Sequence, residues 1–160
     1  MKTVSIRFNL NGRQVSHEVP ANQTLIDLIR RQERLLGTKL SCDQAVCGAC
    51  TVLVNGQPRA ACATFAFEAD AQDVVTIEGL ADGDGLSAVQ QAFLDNAAFQ
   101  CGYCTPGMIM LAAALLQQDP DPGEAAIRRW MGANICRCTG YVQIIEAIKL
   151  AAVARRKVAQ

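Results

Sequence analysis

Eight cysteines fall in two sets of four, and their spacing points to bound metal. The first set is Cys42, Cys47 and Cys50, separated by four and two residues, with eleven residues between Cys50 and Cys62. This is the plant-type [2Fe–2S] spacing. A tight loop can supply three thiolates and a neighbouring strand the fourth. Gly48 would let that loop pass close to bridging sulfides, where a side chain would clash. Amide N–H groups freed in the loop can donate to sulfur. The second set is Cys101-x2-Cys104 and, after thirty-one residues, Cys136-x-Cys138. Both pairs stand before expected helices, whose N-terminal dipole ends favour an anionic group and lower thiol pKa values. By itself Cys101-Gly102-Tyr103-Cys104 also fits a thioredoxin-like redox pair, but that motif needs a βαβ setting, and the upstream sequence reads as helix. Four thiolates also suit zinc. At the second set, spacing alone leaves iron–sulfur and zinc both open.

The rest of the composition narrows the setting. The chain has 160 residues, enough for one ordinary domain or two small ones. Fifteen Lys and Arg balance fifteen Asp and Glu, which argues against a nucleic-acid partner held by net charge. No apolar run reaches the ~18 residues of a membrane span. Met1 to Leu10 lacks the basic start and apolar block of a secretory leader. The expected location is therefore the cytoplasm, with export on a partner subunit's signal left open; there thiols stay reduced and cysteines serve metals or redox chemistry.

The elements that must position the cysteines follow from periodicity. Val4, Ile6, Phe8 and Leu10 alternate, Asn11-Gly12 follows, and Val15, His17 and Val19 alternate again. This predicts a hairpin. Leu25 to Leu36 has helical spacing, with Thr24 as N-cap and Gly37 as stop. Thr51–Val54, a turn at Asn55-Gly56, a return strand from Arg59 to Phe65 and a last strand at Val74–Ile77 complete a small α+β unit. The division expected is a first domain over 1–78, a linker over 79–86 that includes Asp82 and Asp84, and a helical domain over 87–160. Four helices are predicted there. Ser87 and Gln90 form a capping box for the first, which runs to about Ala98. Thr105-Pro106 opens the second, which runs to about Gln118. A short third follows Pro122 and reaches about Met131. The last begins near Tyr141.

The motifs now match a known family. Cys42-Asp43-Gln44-Ala45-Val46-Cys47-Gly48-Ala49-Cys50-Thr51-Val52, Gln100-Cys101-Gly102-Tyr103-Cys104-Thr105-Pro106-Gly107 and Asn134-Ile135-Cys136-Arg137-Cys138-Thr139-Gly140-Tyr141 resemble, in this order, the iron–sulfur subunit of xanthine oxidase family molybdenum hydroxylases. The likeness covers nearly the whole chain and extends to separate small subunits of bacterial enzymes. The resemblance implies a β-grasp, ferredoxin-like domain followed by an all-α four-helix bundle. It implies a [2Fe–2S] cluster in each, the first more exposed and the second buried near a molybdopterin. Cys42, Cys47, Cys50 and Cys62 would hold the first, and Cys101, Cys104, Cys136 and Cys138 the second. Gln100 and Cys138 match positions that contact the molybdopterin. The molybdenum cofactor would sit on a large subunit. FAD would sit on a medium subunit, or a haem-bearing subunit would take its place. The chain would relay electrons among them without binding substrate.

The remaining candidates read as structure. His17, the single histidine, fits a cross-strand surface position. Trp130 fits a packing anchor and Met108 and Met110 core filling. Tyr103 and Tyr141 flank the second set and would shield it from water. Arg137, between Cys136 and Cys138, reads either as a cation offsetting cluster charge or as a solvated arginine, and Arg155-Arg156-Lys157 as a solvated tail. Two other readings are a freely diffusing ferredoxin, for which the helical half is superfluous, and a zinc-stapled interaction module.

Overall fold

The computed structural model describes residues 2–81, 83 and 85–158. Asp82 and Asp84 of the expected linker lie outside the described residues.

Strands β1 (Thr3–Leu10), β2 (Arg13–Pro20), β3 (Thr51–Val54), β4 (Gln57–Ala60) and β5 (Asp73–Val75) form one sheet in the order β2-β1-β5-β3-β4. β1 and β5 run parallel and the other pairs antiparallel. The two hairpins turn on Asn11-Gly12 and Asn55-Gly56, all four at positive φ, as tight hairpin turns require. Ile6, Phe8 and Leu10 alternate into the core with Val15 and Val19 opposite. They pack on Leu25, Ile26, Leu28 and Ile29.

Two expectations for this half are corrected. The predicted helix from Leu25 is only α1 (Leu25–Asp27), continued by a wider π-helical turn over Leu28–Gln32. Thr24 does cap it, accepting from Asp27 N. The wide turn carries Glu33 to Arg13 and His17 on β2, at 2.5 and 2.6 Å. It also sets the Arg30 guanidinium on the carbonyls of Leu36 and Thr38, at 3.0 and 2.6 Å. The chain thus leaves the helix before Gly37. The return strand ends at Ala60 instead of reaching Phe65, because the chain turns there and carries Cys62 inward. The expected strand at Val74–Ile77 is β5 followed by a 3-10 turn at Ile77–Leu80.

The second half is helical: α2 (Ala88–Asp95), α3 (Thr105–Gln118), α4 (Glu124–Met131) and α5 (Val142–Val158). The Ser87–Gln90 capping box closes as expected. Thr105 is already helical, and Cys104 is the capping residue of α3. These helices bury one core around Phe93, Met108, Leu116, Ile127 and Ile148. Trp130 donates its indole N–H to Leu111 O and packs on this core. Arg155-Arg156-Lys157 belongs to α5, and Arg156 pairs with Asp121. The halves meet where α3 lies on β3, through Leu53, Met110 and Ala114. Among the described residues no helix is long and apolar enough to cross a membrane.

Candidate iron–sulfur sites

Cys42, Cys47 and Cys50 lie in the loop between α1 and β3, and Cys62 follows β4. Asp43, Ala45 and Gly48 all take positive φ, at 56°, 56° and 70°. This alternation turns successive amides inward, making a concave nest that suits an anion. Gln44, Val46 and Cys47 each donate a backbone N–H to Cys42 Sγ at 3.4 Å, and Ala45 N–H donates to Cys62 Sγ at 3.3 Å. These donors, led by Cys47 N–H, hold the Cys42 thiol down to about 6. Burial pushes Cys50 up to about 12. The thiols act on one another in twos: Cys42 is shifted by its neighbour Cys47, and Cys50 by Cys62.

Gly48 has a further role that its place in the loop did not reveal. A Cβ there would overlap the side-chain amide of Asn134, which comes from the second set's loop. The missing side chain makes room for the other domain.

The second set joins the N-terminal ends of two helices. Cys104 caps α3, and Cys136 and Cys138 lead into α5. The pairing recurs. Cys138 Sγ lies 3.4 Å from Cys101 Sγ, and Cys104 is shifted by its neighbour Cys136. Burial pushes Cys104 up to about 12. Burial would also raise Cys136, but the Thr139 hydroxyl at 3.0 Å and its N–H at 3.3 Å outweigh it, and the thiol is lowered. Cys101 is lowered by the Tyr103 N–H and by Cys138, while its bond to Cys101 raises Cys138. Each pair of this set therefore has one thiol shifted toward thiolate and one toward the protonated form. Tyr141 acts inside the loop, its hydroxyl accepting from Cys136 N at 2.7 Å and donating to Asn134 O at 3.1 Å. The Tyr103 hydroxyl donates to Leu40 O and so ties the second set to the first set's approach.

Cys50 and Cys62 are buried and Cys42 and Cys47 half-buried, whereas Cys101 and Cys138 are exposed. Gln100, directly before Cys101, is exposed as well. Within this chain alone the second set is the more open; only a surface from outside the chain can bury it.

All eight thiols are free. Among the described residues no three Cys, His, Asp or Glu side chains converge where one metal ion would sit. A single zinc ion draws four sulfurs to about 2.3 Å from one point. A two-iron cluster takes two thiolates on each iron, and sulfurs gathered in twos fit that group. His17 is bound to Glu33, away from both sets.

Paired thiols in the sheet half and in the helical half fit a protein of the two-cluster iron–sulfur class. Two family models agree: "2Fe-2S iron-sulfur cluster binding domain" matches residues 8–81, and "[2Fe-2S] binding domain" matches residues 76–149. The nicotinate dehydrogenase small FeS subunit of Eubacterium barkeri is 44% identical over 151 residues, covering 94% of this chain and 96% of that subunit. The crystal structure of quinoline 2-oxidoreductase from Pseudomonas putida 86 contains a chain that superposes with a TM-score of 0.93 at 39% identity, covering 98% of each. Aldehyde oxidoreductase from Desulfovibrio gigas has the same fold within a longer chain, with a TM-score of 0.92 and 35% identity over 97% of this chain and 17% of that one. The chain belongs to the family of small iron–sulfur subunits of xanthine oxidase-type oxidoreductases. Its function is electron transfer.

Proposed function

We propose that the chain relays electrons between a molybdopterin on a large subunit and FAD, or a haem-bearing subunit in its place. The gathering of the eight thiols in four pairs, two in each half, carries this reading. Cys42, Cys47, Cys50 and Cys62 hold the first [2Fe–2S] cluster, and Cys101, Cys104, Cys136 and Cys138 the second. Each cluster, when bound, accepts and passes on one electron at a time. The chain's own residues set the conditions. Amide donors on Cys42 and the Thr139 hydroxyl on Cys136 stabilise thiolate. The exposure of Cys101, Cys138 and Gln100 supports the second site as the one that meets the molybdopterin, with Gln100 and Cys138 in contact. A hydrogen bond of 2.9 Å from Ile135 N to Cys47 O joins the two loops directly. The cysteine sets divide the chain into 1–78 and 87–160, with 79–86 between.

The test is iron, sulfide and molybdenum content of the natively purified complex, with EPR after dithionite reduction. The expected result is four iron and four sulfide per chain, two distinct [2Fe–2S] signals and co-purifying molybdenum. Cys104→Ser should remove the second signal alone. Gln100→Ala should keep both signals and slow turnover. Zinc in the second set, or survival of both signals in Cys104→Ser, would refute the assignment.

A further inference from the structure

Asn134 is only 3% exposed. Its backbone belongs to the second set's loop, but its side chain lies in the first. A Cβ on Gly48 would overlap the Asn134 amide and stand 3.0 Å from Ala133 O. The amide therefore fills the room that glycine leaves. Thr51 Oγ1 lies 2.7 Å from Gly48 O and 3.3 Å from the Asn134 side-chain oxygen. A hydroxyl has one proton, and the shorter bond to the carbonyl takes it. Toward Asn134 the hydroxyl is then an acceptor, which calls for an amide N–H on that side. Asn134 Nδ2 is otherwise buried without a partner. Turning the amide end for end, which leaves its outline unchanged, pairs it with Thr51.

The main chain of the same stretch is held as well. Ile135 N–H donates to Cys47 O at 2.9 Å. Tyr141 O–H holds Asn134 O at 3.1 Å from behind. The N-terminal turn of α3 closes the third side, where a Cβ on Gly107 would overlap Gly48 O.

We infer that Asn134 is a positioning residue for electron transfer, fixing the separation of the two iron–sulfur sites. The inference rests on both cysteine sets holding clusters, as proposed above. With a side chain of one loop locked into the other, neither loop moves alone. Glutamine is a methylene too long for the space beside Gly48, and aspartate lacks the donor that Thr51 calls for.

The test uses the natively purified complex and the magnetic interaction between its two clusters. When both are reduced, their EPR signals split each other; the half-reduced complex supplies the unsplit reference. Asn134→Ala is expected to keep full iron and sulfide while the splitting narrows or is lost. Full iron with unchanged splitting overturns the inference and leaves the functional reading standing. Should Asn134→Ala load too little iron, Thr51→Val takes its place, keeping the volume and removing the hydroxyl. The same narrowing is expected, and its absence overturns the inference. Gly48→Ala alone should lose first-site iron, and adding Asn134→Ala should recover part of it, because the vacated space takes the new Cβ. No recovery overturns the inference. A wild-type complex with one [2Fe–2S] signal would bring down the functional reading and this inference together.

Discussion

Gly107→Ala separates two opposing effects whose sizes the structure supplies. Gly107 is buried in the first turn of α3 at an ordinary helical φ, so no backbone strain attends the substitution. Helix propensity alone favours alanine by about 0.5–1 kcal/mol. Space opposes it. The new Cβ would come closer than 3.0 Å to Gly48 O and stand 3.2 Å from Ala49 C and Cα. All three are backbone atoms of the first set's loop, which has no side chain there to swing away. Overpacking of a close-packed site costs about 1–3 kcal/mol, and a backbone obstacle belongs at the upper end. The net expectation is a loss of about 2 kcal/mol, which for a chain of this length lowers Tm by about 4–8 °C. Gly140→Ala is the control. Gly140 sits in the motif that carries Cys136 and Cys138, without positive φ and with nothing within 4 Å of an added Cβ, so its variant should stay within about 0.5 kcal/mol of wild type. Thermal unfolding of the cluster-loaded chains measures both. A Gly107→Ala protein as stable as wild type, or more so, would refute the argument that this glycine exists for the approach of α3 to the loop.

Three further outcomes follow from the site geometry. Ala45→Gly should leave stability unchanged or raise it by up to about 1 kcal/mol, since Ala45 sits at φ 56° and only glycine takes that conformation without strain; denaturant unfolding measures it. In the cluster-free chain at pH 7, iodoacetamide should modify Cys42 well before Cys50 and Cys104, because the first is held to about 6 and the others are pushed to about 12. The sign for stability follows: the lowered Cys42 value contributes fully above the ordinary 9.0 and is lost as pH falls toward 6. Peptide mapping across that range should show Cys42 labelling fall with it. Thr139→Val removes the hydroxyl donor 3.0 Å from Cys136 Sγ, so the second cluster's potential should move negative while the first stays put, as a redox titration followed by EPR would report.

Much of this was legible in the sequence because the relevant signals are local. Alternating apolar residues and Asn-Gly pairs specify the hairpins, and Ser87 with Gln90 specifies the start of α2. Cysteine spacing gives the two sets. What was missed depends on contacts between distant segments. Nothing near Leu25–Leu36 reveals that Glu33 will be drawn to Arg13 and His17, which widens the helix into a π-turn and ends it early. Gly48 reads naturally as a cluster-loop glycine, because its partner Asn134 is 86 positions away. Asn134 itself carries no periodic or spacing signal; the one hint is its place two residues before Cys136. The pairing of thiols across each set is also invisible in spacing, since Cys101 pairs with Cys138 and not with Cys104.

The junction explains why one chain carries both sites. Each half buries its own core, and a hinge between two such cores would cost little. Electron transfer between fixed sites needs the opposite. The contact is therefore made by the cysteine loops themselves. Ile135 N–H reaches Cys47 O, the Asn134 amide occupies the space over Gly48, and Gly107 brings α3 against the same carbonyl. Leu53, Met110 and Ala114 add apolar burial beside it. Small residues stand where the backbones touch, and the one polar side chain that crosses is short and planar. Any side chain added at 48 or 107 would push the loops apart at the place where each carries cysteines of its set. Mutations at this junction should thus disturb communication between the sites, whereas substitutions on the far face of α5 or in β2 should change stability alone.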